Sequence, residues 1–242
     1  MIAHRGGRAR APENTLEAMR LAIADGADGL EFDVRLSAEG EVVVIHDPRV
    51  DRTTDGTGAV ERMTLAELRS LDAGFRFNAR PVDRATTIKA RIPTLEEVLR
   101  SFPGIPLLIE IKDPLAATAT RRLIEKHGAE DRCLVDSFSS TALKAFRESR
   151  IARGAGRSEI VRLLARSLKG APSPGDVSAL SIPRTYYGLP LPIRYLAGIM
   201  RSARKPTHIW TVNHPGEARA MWELGASGIL TDDVPAIVTV RS

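Results

Sequence analysis

Short segments with strand character alternate with amphipathic helical segments along nearly the whole chain. The repeating unit is a helix, a turn that contains glycine, and a strand. Nine strand candidates occur, in the order IAHRG, DGLEFDV, EVVVIHD, IPLLIEIK, RCLVDSF, IARGAG, VSALSIP, THIWTVN and SGILTD. This alternation is typical of α/β proteins with a parallel sheet. Several of these strands are apolar on both sides of the pleat, as expected where helices cover the sheet.

Nine strands are too many for a small open sheet. A closed (β/α)8 barrel of the TIM type is the simplest architecture that accommodates eight of them, and 242 residues suit one such domain. We therefore expect a single α/β barrel over residues 1–242. Because no helix fits between GLEFDV and GEVVVIHD, these two strands are predicted to form a hairpin. A turn at Ala38 and Glu39 would set Glu31 opposite His46.

The alternation of strands and helices is interrupted between residues 47 and 91. This stretch is rich in turn residues and contains one short helical pattern, which begins after the capping residue Thr64. We interpret it as an insertion subdomain folded over one end of the barrel. A later stretch, PRTYYGLPLP, is unusually aromatic for this chain and is predicted to be an irregular loop.

Composition narrows the classes of protein to which the chain can belong. Hydrophobic residues make up 43% and charged residues 27%, as in ordinary globular domains. No apolar run is long enough for a membrane span, no secretion signal is visible, and the single cysteine fits a reducing compartment, so a cytoplasmic protein is expected. The net charge of +5 suits an anionic substrate. The basic residues are scattered and not interleaved with aromatic ones, which argues against nucleic-acid binding but is compatible with transient contact with lipid.

Acidic residues occupy two strand candidates in which a fold alone would favour aliphatic ones. Side chains two residues apart on a strand point to the same face, so Glu31 and Asp33 share a face, and so do Glu110 and Lys112. If both strands end at the same barrel mouth, Glu31, Asp33 and Glu110 form a site with three carboxylates, whose oxygens favour Mg²⁺ or Ca²⁺ over zinc. The alternative for a single buried carboxylate is an ion pair, which Lys112 could supply.

Two histidines, His4 and His46, lie at strand ends beside these acidic residues. An isolated histidine is more often structural, but two of them next to a carboxylate cluster suit a general base and a general acid. Arg5 and Lys112 would add fixed positive charge of the kind that stabilises a phosphate oxyanion. The first helix is predicted to be capped by Asn14 or Thr15.

Motifs along nearly the whole chain resemble those of the glycerophosphodiester phosphodiesterases. They are AHRGG, PENTLEA, GADGLEFDVRLSAEGEVVVIHDPRVDRTTDGTG, IPTLEEVL, LLIEIK, IWTVN and LGASGILTDDVP, in the order found in that family. The resemblance implies a TIM-type barrel with a small insertion after the HD pair. It also implies a hydrolase that depends on one divalent cation and acts on a small-molecule glycerophosphodiester.

The same resemblance implies a role for each residue that matches a family motif. The metal ligands would be Glu31, Asp33 and Glu110; the acid and base would be His4 and His46; the phosphate contacts would come from Arg5 and Lys112. Phe138 and Trp210 match positions that line the substrate pocket. Which histidine is the acid and which cation is used stay open.

The implied reaction passes through a cyclic phosphate and releases glycerol 3-phosphate and an alcohol. A related alternative keeps the site and makes the protein a lysophospholipase D, with PRTYYGLPLPIRYLAGIM as an apolar rim for an acyl chain. An alternative from a different class is a barrel that binds phosphodiesters without turning them over.

Overall fold

The computed structural model describes residues 1–77, 89–167 and 173–240. The strands in these ranges are β1 (Ile2–Ala3), β2 (Gly29–Leu36), β3 (Val42–Val44), β4 (Leu107–Ile111), β5 (Cys133–Asp136), β6 (Ala152–Arg153), β7 (Leu180–Pro183), β8 (Thr185–Tyr186), β9 (Leu189–Pro190), β10 (Thr207–Trp210) and β11 (Gly228–Thr231). Eight of them pair in parallel in the order β6-β5-β4-β2-β1-β11-β10-β7. A parallel bridge between Gly154 and Ala179 joins the two ends of this order. The fold is the predicted TIM-type barrel, and all nine strand candidates are present.

The helices in the described ranges are α1 (Leu16–Ala24), α2 (Leu65–Ser70), α3 (Leu95–Ser101), α4 (Ala116–Lys126), α5 (Ser140–Lys144), α6 (Arg157–Ser167), α7 (Ile193–Ser202), α8 (Pro215–Glu223) and α9 (Val234–Val238). Most of the core lies between these helices and the strands. On β2, for example, Leu30, Phe32 and Val34 are fully buried in that core. The alternation of a strand therefore turns Glu31 and Asp33 to the opposite face. No helix in the described part of the chain is both long enough and apolar enough to cross a membrane.

The ninth predicted strand, β3, is not a barrel strand. It pairs antiparallel with β2, which confirms the predicted hairpin, and a bridge joins its other edge to Thr94. The predicted pairing of Glu31 with His46 is wrong, because the ladder aligns Val34 with Val44. A two-residue turn would have given the predicted register. The turn instead includes Gly40 in a left-handed conformation (φ 79°), and this third residue shifts the register by one.

The segment after β3 has a small apolar core of its own. Buried side chains of Val50, Val60 and Leu68 cluster with Val43 of β3. Thr64 caps α2 as predicted, in a capping box in which Glu67 bonds back to the Thr64 backbone. Residues 78–88 of the predicted insertion lie outside the described ranges.

Two elements are absent from the sequence prediction. The stretch expected to be an irregular loop contains a short hairpin in which β8 pairs antiparallel with β9. The chain after β11 forms α9, whose N-cap Asp233 accepts a hydrogen bond from the Ala236 amide at 3.3 Å. Both elements follow strands of the barrel and extend the loops at the carboxyl ends of those strands.

Candidate active site

Three carboxylates converge where β2 and β4 end. Asp33 and Glu110 are direct neighbours in the parallel ladder, and Glu31 stands two residues earlier on the same face. Each of the three offers one oxygen that lies within 4.8 Å of the others. Glu31 and Asp33 are each only 1% exposed, whereas Glu110 is partly accessible. The structure therefore brings together the three acidic residues that the sequence nominated.

Two basic side chains contact this cluster. Lys112 Nζ lies 2.7 Å from Glu110 Oε1 and 3.1 Å from Asp33 Oδ1, and Arg5 Nε lies 3.4 Å from Asp33 Oδ2. Arg5 has a left-handed backbone (φ 50°), and its amide donates to Glu31 Oε2 at 2.8 Å. Backbone strain of this kind is concentrated at functional sites. The guanidinium of Arg5 is itself held by Glu13 at 2.9 Å.

The charges around the three carboxylates leave the cluster suited to a further cation. Burial, together with the neighbouring charges of Asp33 and Glu110, raises the pKa of Glu31 well above its usual value. Three acidic groups face two basic ones, one of which is shared with Glu13. Oxygen donors in this number are the ligands that Mg²⁺ and Ca²⁺ prefer. These residues therefore fit a hard divalent ion, which would relieve the repulsion that raises the Glu31 pKa.

His4 follows β1 and is held by a carboxylate from the other end of the chain. Its Nδ1 lies 2.6 Å from Asp232 Oδ1, and its Nε2 lies 3.9 Å from Glu31 Oε2. Asp232 also accepts from Arg8 Nε at 2.9 Å and from Asn213 Nδ2 at 3.0 Å. Burial alone would raise the pKa of Asp232, but the hydrogen bonds and charges of His4 and Arg8 lower it to about 2. An ionised Asp232 accepts a hydrogen bond from Nδ1–H, which leaves Nε2 directed at the carboxylates.

His46 follows β3 and has a similar partner. Its Nδ1 lies 2.5 Å from Asp47 Oδ1, and the other oxygen of Asp47 contacts Arg52. Despite the cost of burial, this contact and the bond to His46 lower the pKa of Asp47 to about 2. Burial outweighs the nearby Asp33 and Asp47 charges and lowers the pKa of His46. Both histidines thus have Nδ1 bound to an aspartate and Nε2 available for proton transfer.

A cavity of about 250 Å³, here called the central cavity, connects these groups. The sequence-nominated residues that line it are His4, Arg5, Glu31, His46, Glu110, Lys112, Phe138 and Trp210. Asp33 is buried behind them. The rings of Phe138 and Trp210 meet edge to face with centroids 6.0 Å apart, and Lys112 Nζ lies 5.9 Å from the centre of the Phe138 ring. One cavity thus combines acidic, basic, imidazole and aromatic groups.

Some residues that organise the site were not nominated from the sequence. Asn14 and Thr15 were the two candidates for the cap of the first helix; Thr15 caps α1, and Asn14 Nδ2 instead donates to Asp33 Oδ2 at 2.9 Å. Asp232 could have been found by the argument applied to Glu110, because it directly follows the carboxyl end of a barrel strand. Glu13 lies in the PENTLEA motif, but its bond to Arg5 depends on how the chain after β1 folds back.

Residues 4–236 match the model of the glycerophosphoryl diester phosphodiesterase family. The chain belongs to this family. A glycerophosphodiester phosphodiesterase of Caldanaerobacter subterraneus is 32% identical over 258 residues, covering 99% of this chain and 96% of that protein. Because it belongs to the glycerophosphoryl diester phosphodiesterase family, this chain is a phosphodiester hydrolase.

Solved structures of other glycerophosphoryl diester phosphodiesterases have the same fold. Such a domain from Mycobacterium tuberculosis superposes with a TM-score of 0.86 at 24% identity, covering 100% of this chain and 98% of that one. A phosphodiesterase of Oleispira antarctica, solved in complex with the product sn-glycerol-3-phosphate, has a TM-score of 0.81 and 29% identity over 99% of this chain and 95% of that one.

Proposed function

We propose that this protein hydrolyses glycerophosphodiesters to glycerol 3-phosphate and an alcohol. The observation that carries the proposal is the central cavity, in which a three-carboxylate cluster faces two histidines whose Nδ1 atoms are bound to aspartates. The product bound to the Oleispira antarctica relative supports the same substrate class.

Each nominated residue has a role in this proposal. Glu31, Asp33 and Glu110 would hold one Mg²⁺ or Ca²⁺ ion, which when bound lowers the pKa of a hydroxyl and neutralises phosphate charge. Arg5 and Lys112 bind the phosphate oxygens, and the rings of Phe138 and Trp210 border the substrate.

The proton transfers are assigned to His4 and His46. One imidazole removes the proton of the glycerol 2-hydroxyl as its oxygen attacks phosphorus, and the other protonates the departing alcohol. The resulting cyclic phosphate is opened by water, which restores both imidazoles to their starting states. The aspartate on each Nδ1 keeps Nε2 in the required tautomer.

We also propose that residues 1–242 act as one catalytic barrel and that residues 47–91 form an insertion subdomain within it. The support is the ion pair of Arg52 with Asp47, the residue that holds His46, and with Glu13 at 2.7 Å. The insertion would then brace one of the two histidines.

The test is a coupled assay for glycerol 3-phosphate over a panel of head groups, with chelator and then Mg²⁺ or Ca²⁺ added back. Glu31→Ala and His46→Ala should reduce turnover by at least about 100-fold. His214→Ala is the matched control, because His214 is exposed and lies outside the central cavity. A Glu31→Ala protein with unchanged metal affinity would favour the non-catalytic binding alternative.

The cyclic route has a separate test. A substrate analogue whose 2-hydroxyl is replaced by hydrogen cannot form the cyclic phosphate and should not be turned over. Hydrolysis of that analogue at the normal rate would eliminate this route while leaving the site assignment in place.

A further inference from the structure

The β8–β9 hairpin is exposed along its whole length. All six of its residues, 185–190, are accessible, and the exposed fraction reaches 85% for Tyr187 and 72% for Leu189. The two residues of its turn, Tyr187 and Gly188, both have a left-handed backbone (φ 50° and 78°). Asparagine followed by glycine is the favoured pair in such a turn, whereas a bulky residue at the first position is strained. A strained residue that holds an aromatic ring in solvent points to a partner outside the chain.

Other exposed apolar side chains surround the hairpin. Eight large hydrophobic side chains in the described ranges are exposed, and three of them belong to the hairpin. Phe138 follows β5, Val161 lies on α6 after β6, and Tyr195 lies in the first turn of α7 after β9. Because β5, β6 and β7 are neighbours in the barrel, six of the eight lie over one sector of its mouth. Clustered exposed apolar side chains mark an interaction site, whereas scattered ones do not. This cluster is here called the aromatic rim, and it consists of Phe138, Val161, Tyr186, Tyr187, Leu189 and Tyr195.

The positive charge of the protein is concentrated in the same part of the chain. Between Glu159 and Glu217, the sequence has eight lysines and arginines and a single acidic residue, Asp176. This stretch therefore carries a net charge of +7, compared with +5 for the whole chain. Arg153 neutralises Glu159 at 2.9 Å and Asp176 at 2.8 Å. Arg184 neutralises Glu217 at 2.7 Å.

Two arginines at the rim are free to bind an external anion. The guanidinium of Arg157 lies 5.6 Å from the centre of the Tyr186 ring. Arg194 is exposed in the first turn of α7, beside Tyr195. No carboxylate in the described part of the chain forms an ion pair with either guanidinium. Positive charge and exposed rings therefore lie side by side at the mouth of the barrel.

We propose that the aromatic rim docks the mouth of the barrel on an anionic lipid bilayer. Exposed tyrosine rings and an adjacent leucine suit the boundary between lipid head groups and acyl chains. The arginines bind lipid phosphates, and each strengthens attachment to an anionic surface about fivefold. A second copy of this chain fits less well, because two surfaces of the same positive charge repel each other. A soluble polyanion would leave Tyr187 and Leu189 without an apolar contact.

The first experiment measures sedimentation of the full chain with vesicles, which requires no turnover and is therefore independent of the proposed function. The wild-type protein should bind vesicles of equimolar phosphatidylcholine and phosphatidylglycerol, bind phosphatidylcholine vesicles at least about tenfold more weakly, and lose affinity as salt is raised. Arg157→Gln/Arg194→Gln should bind the mixed vesicles about 25-fold more weakly. Arg62→Gln/Arg100→Gln is the matched control, because it removes the same charge from exposed positions outside the rim, and it should bind nearly as wild type.

The apolar contribution is tested at the tip of the hairpin. Tyr187→Asn should weaken binding to the mixed vesicles at least about fivefold. Its Tm should equal or exceed that of wild type, because asparagine is preferred at this turn position, so unfolding cannot explain the loss. Tyr187→Phe is the conservative control and should bind as wild type.

The orientation of the docked protein is tested with Tyr187→Trp. Its emission should shift to the blue on mixed vesicles and be quenched by lipids brominated in their acyl chains. The baseline is wild type, whose only tryptophans are Trp210 and Trp222. Vesicle binding without quenching beyond this baseline would show that another face docks, and would refute the proposal.

Three further results would overturn the proposal. They are a wild-type protein that does not bind the mixed vesicles, equal losses in the two double arginine variants, and wild-type affinity in Tyr187→Asn. Competition with polyphosphate identifies the alternative partner. Binding to polyphosphate that is as tight as binding to the mixed vesicles and unaffected by Tyr187→Asn would assign this surface to a soluble polyanion instead.

Discussion

Replacement of Asp232 by asparagine tests whether the carboxylate behind His4 contributes to the chemistry. Its pKa is lowered from the ordinary 3.8 to about 2, which corresponds to roughly 2.4 kcal/mol of preferential stabilisation of the ionised form. The interactions responsible are those with His4 and Arg8, and the 2.6 Å contact between Asp232 Oδ1 and His4 Nδ1 also orients the imidazole. If between half and all of this energy acts through His4, Asp232→Asn should lower kcat by between about 10-fold and 60-fold.

The assay is steady-state hydrolysis of glycerophosphocholine with saturating cation, measured across pH. Because Asp232 does not contact substrate in the proposed arrangement, KM should change little. Asp233→Asn is the matched control, since asparagine preserves the cap that Asp233 provides for α9. A kcat within twofold of wild type with an unchanged pH profile would refute the proposed role of Asp232.

Further predictions concern the second histidine, the cation and acid stability. Asp47→Asn should reduce kcat by less than Asp232→Asn does, because Asp47 is the more exposed of the two carboxylates, and parallel kinetics of both variants check this. A cation at 100 times its Kd should raise Tm by about 5–10 °C, as measured by calorimetry with and without chelator. Without a bound cation, the raised pKa of Glu31 means that the free energy of unfolding falls as pH rises above about 4.5. Glu31→Gln should therefore raise the Tm of the chelator-treated protein, and it should abolish the increase in Tm that the cation causes in wild type. Despite burial, the pKa of Glu13 is lowered to about 2, chiefly by Arg52 and Arg5, and the pKa of Asp232 is also about 2. The stability that these two ionised carboxylates contribute is complete above about pH 4.5 and is lost as pH falls toward 2. Tm should therefore drop across that pH range, and a Tm that stays constant there would contradict the assignment.

The sequence was sufficient to predict the barrel and the members of the central cluster. Strand alternation alone sets Glu31 and Asp33 on one face, and the rule that parallel strands end at a common edge adds Glu110. The aspartate that follows β11 satisfies the same rule, and its pairing with His4 depends on strands from opposite ends of the chain becoming neighbours. That adjacency is a property of barrel closure, which no local pattern encodes.

Local features whose outcome depends on backbone geometry could not be predicted from the sequence. The hairpin between β2 and β3 was expected, but its register depended on whether the turn has two or three residues, and Gly40 permits the longer one. Asn14 has the chemistry of a helix cap and sits next to another good capping residue. Only the left-handed backbone of Asn14 (φ 60°) turns its amide to Asp33 instead. Each strand of the β8–β9 hairpin has only two residues, which is too short to show the alternation that identifies longer strands.

The position of β3 outside the barrel separates the two halves of the proposed chemistry. The carboxylates and His4 extend from the wall of the barrel, whereas His46 is carried by an appended strand attached to β2 and Thr94. The whole excursion from residue 37 to residue 94 can therefore vary in length or be exchanged between relatives without altering the spacing of the three acidic side chains. Chimaeras that exchange this segment would change the surroundings of His46 and leave the three carboxylates unchanged.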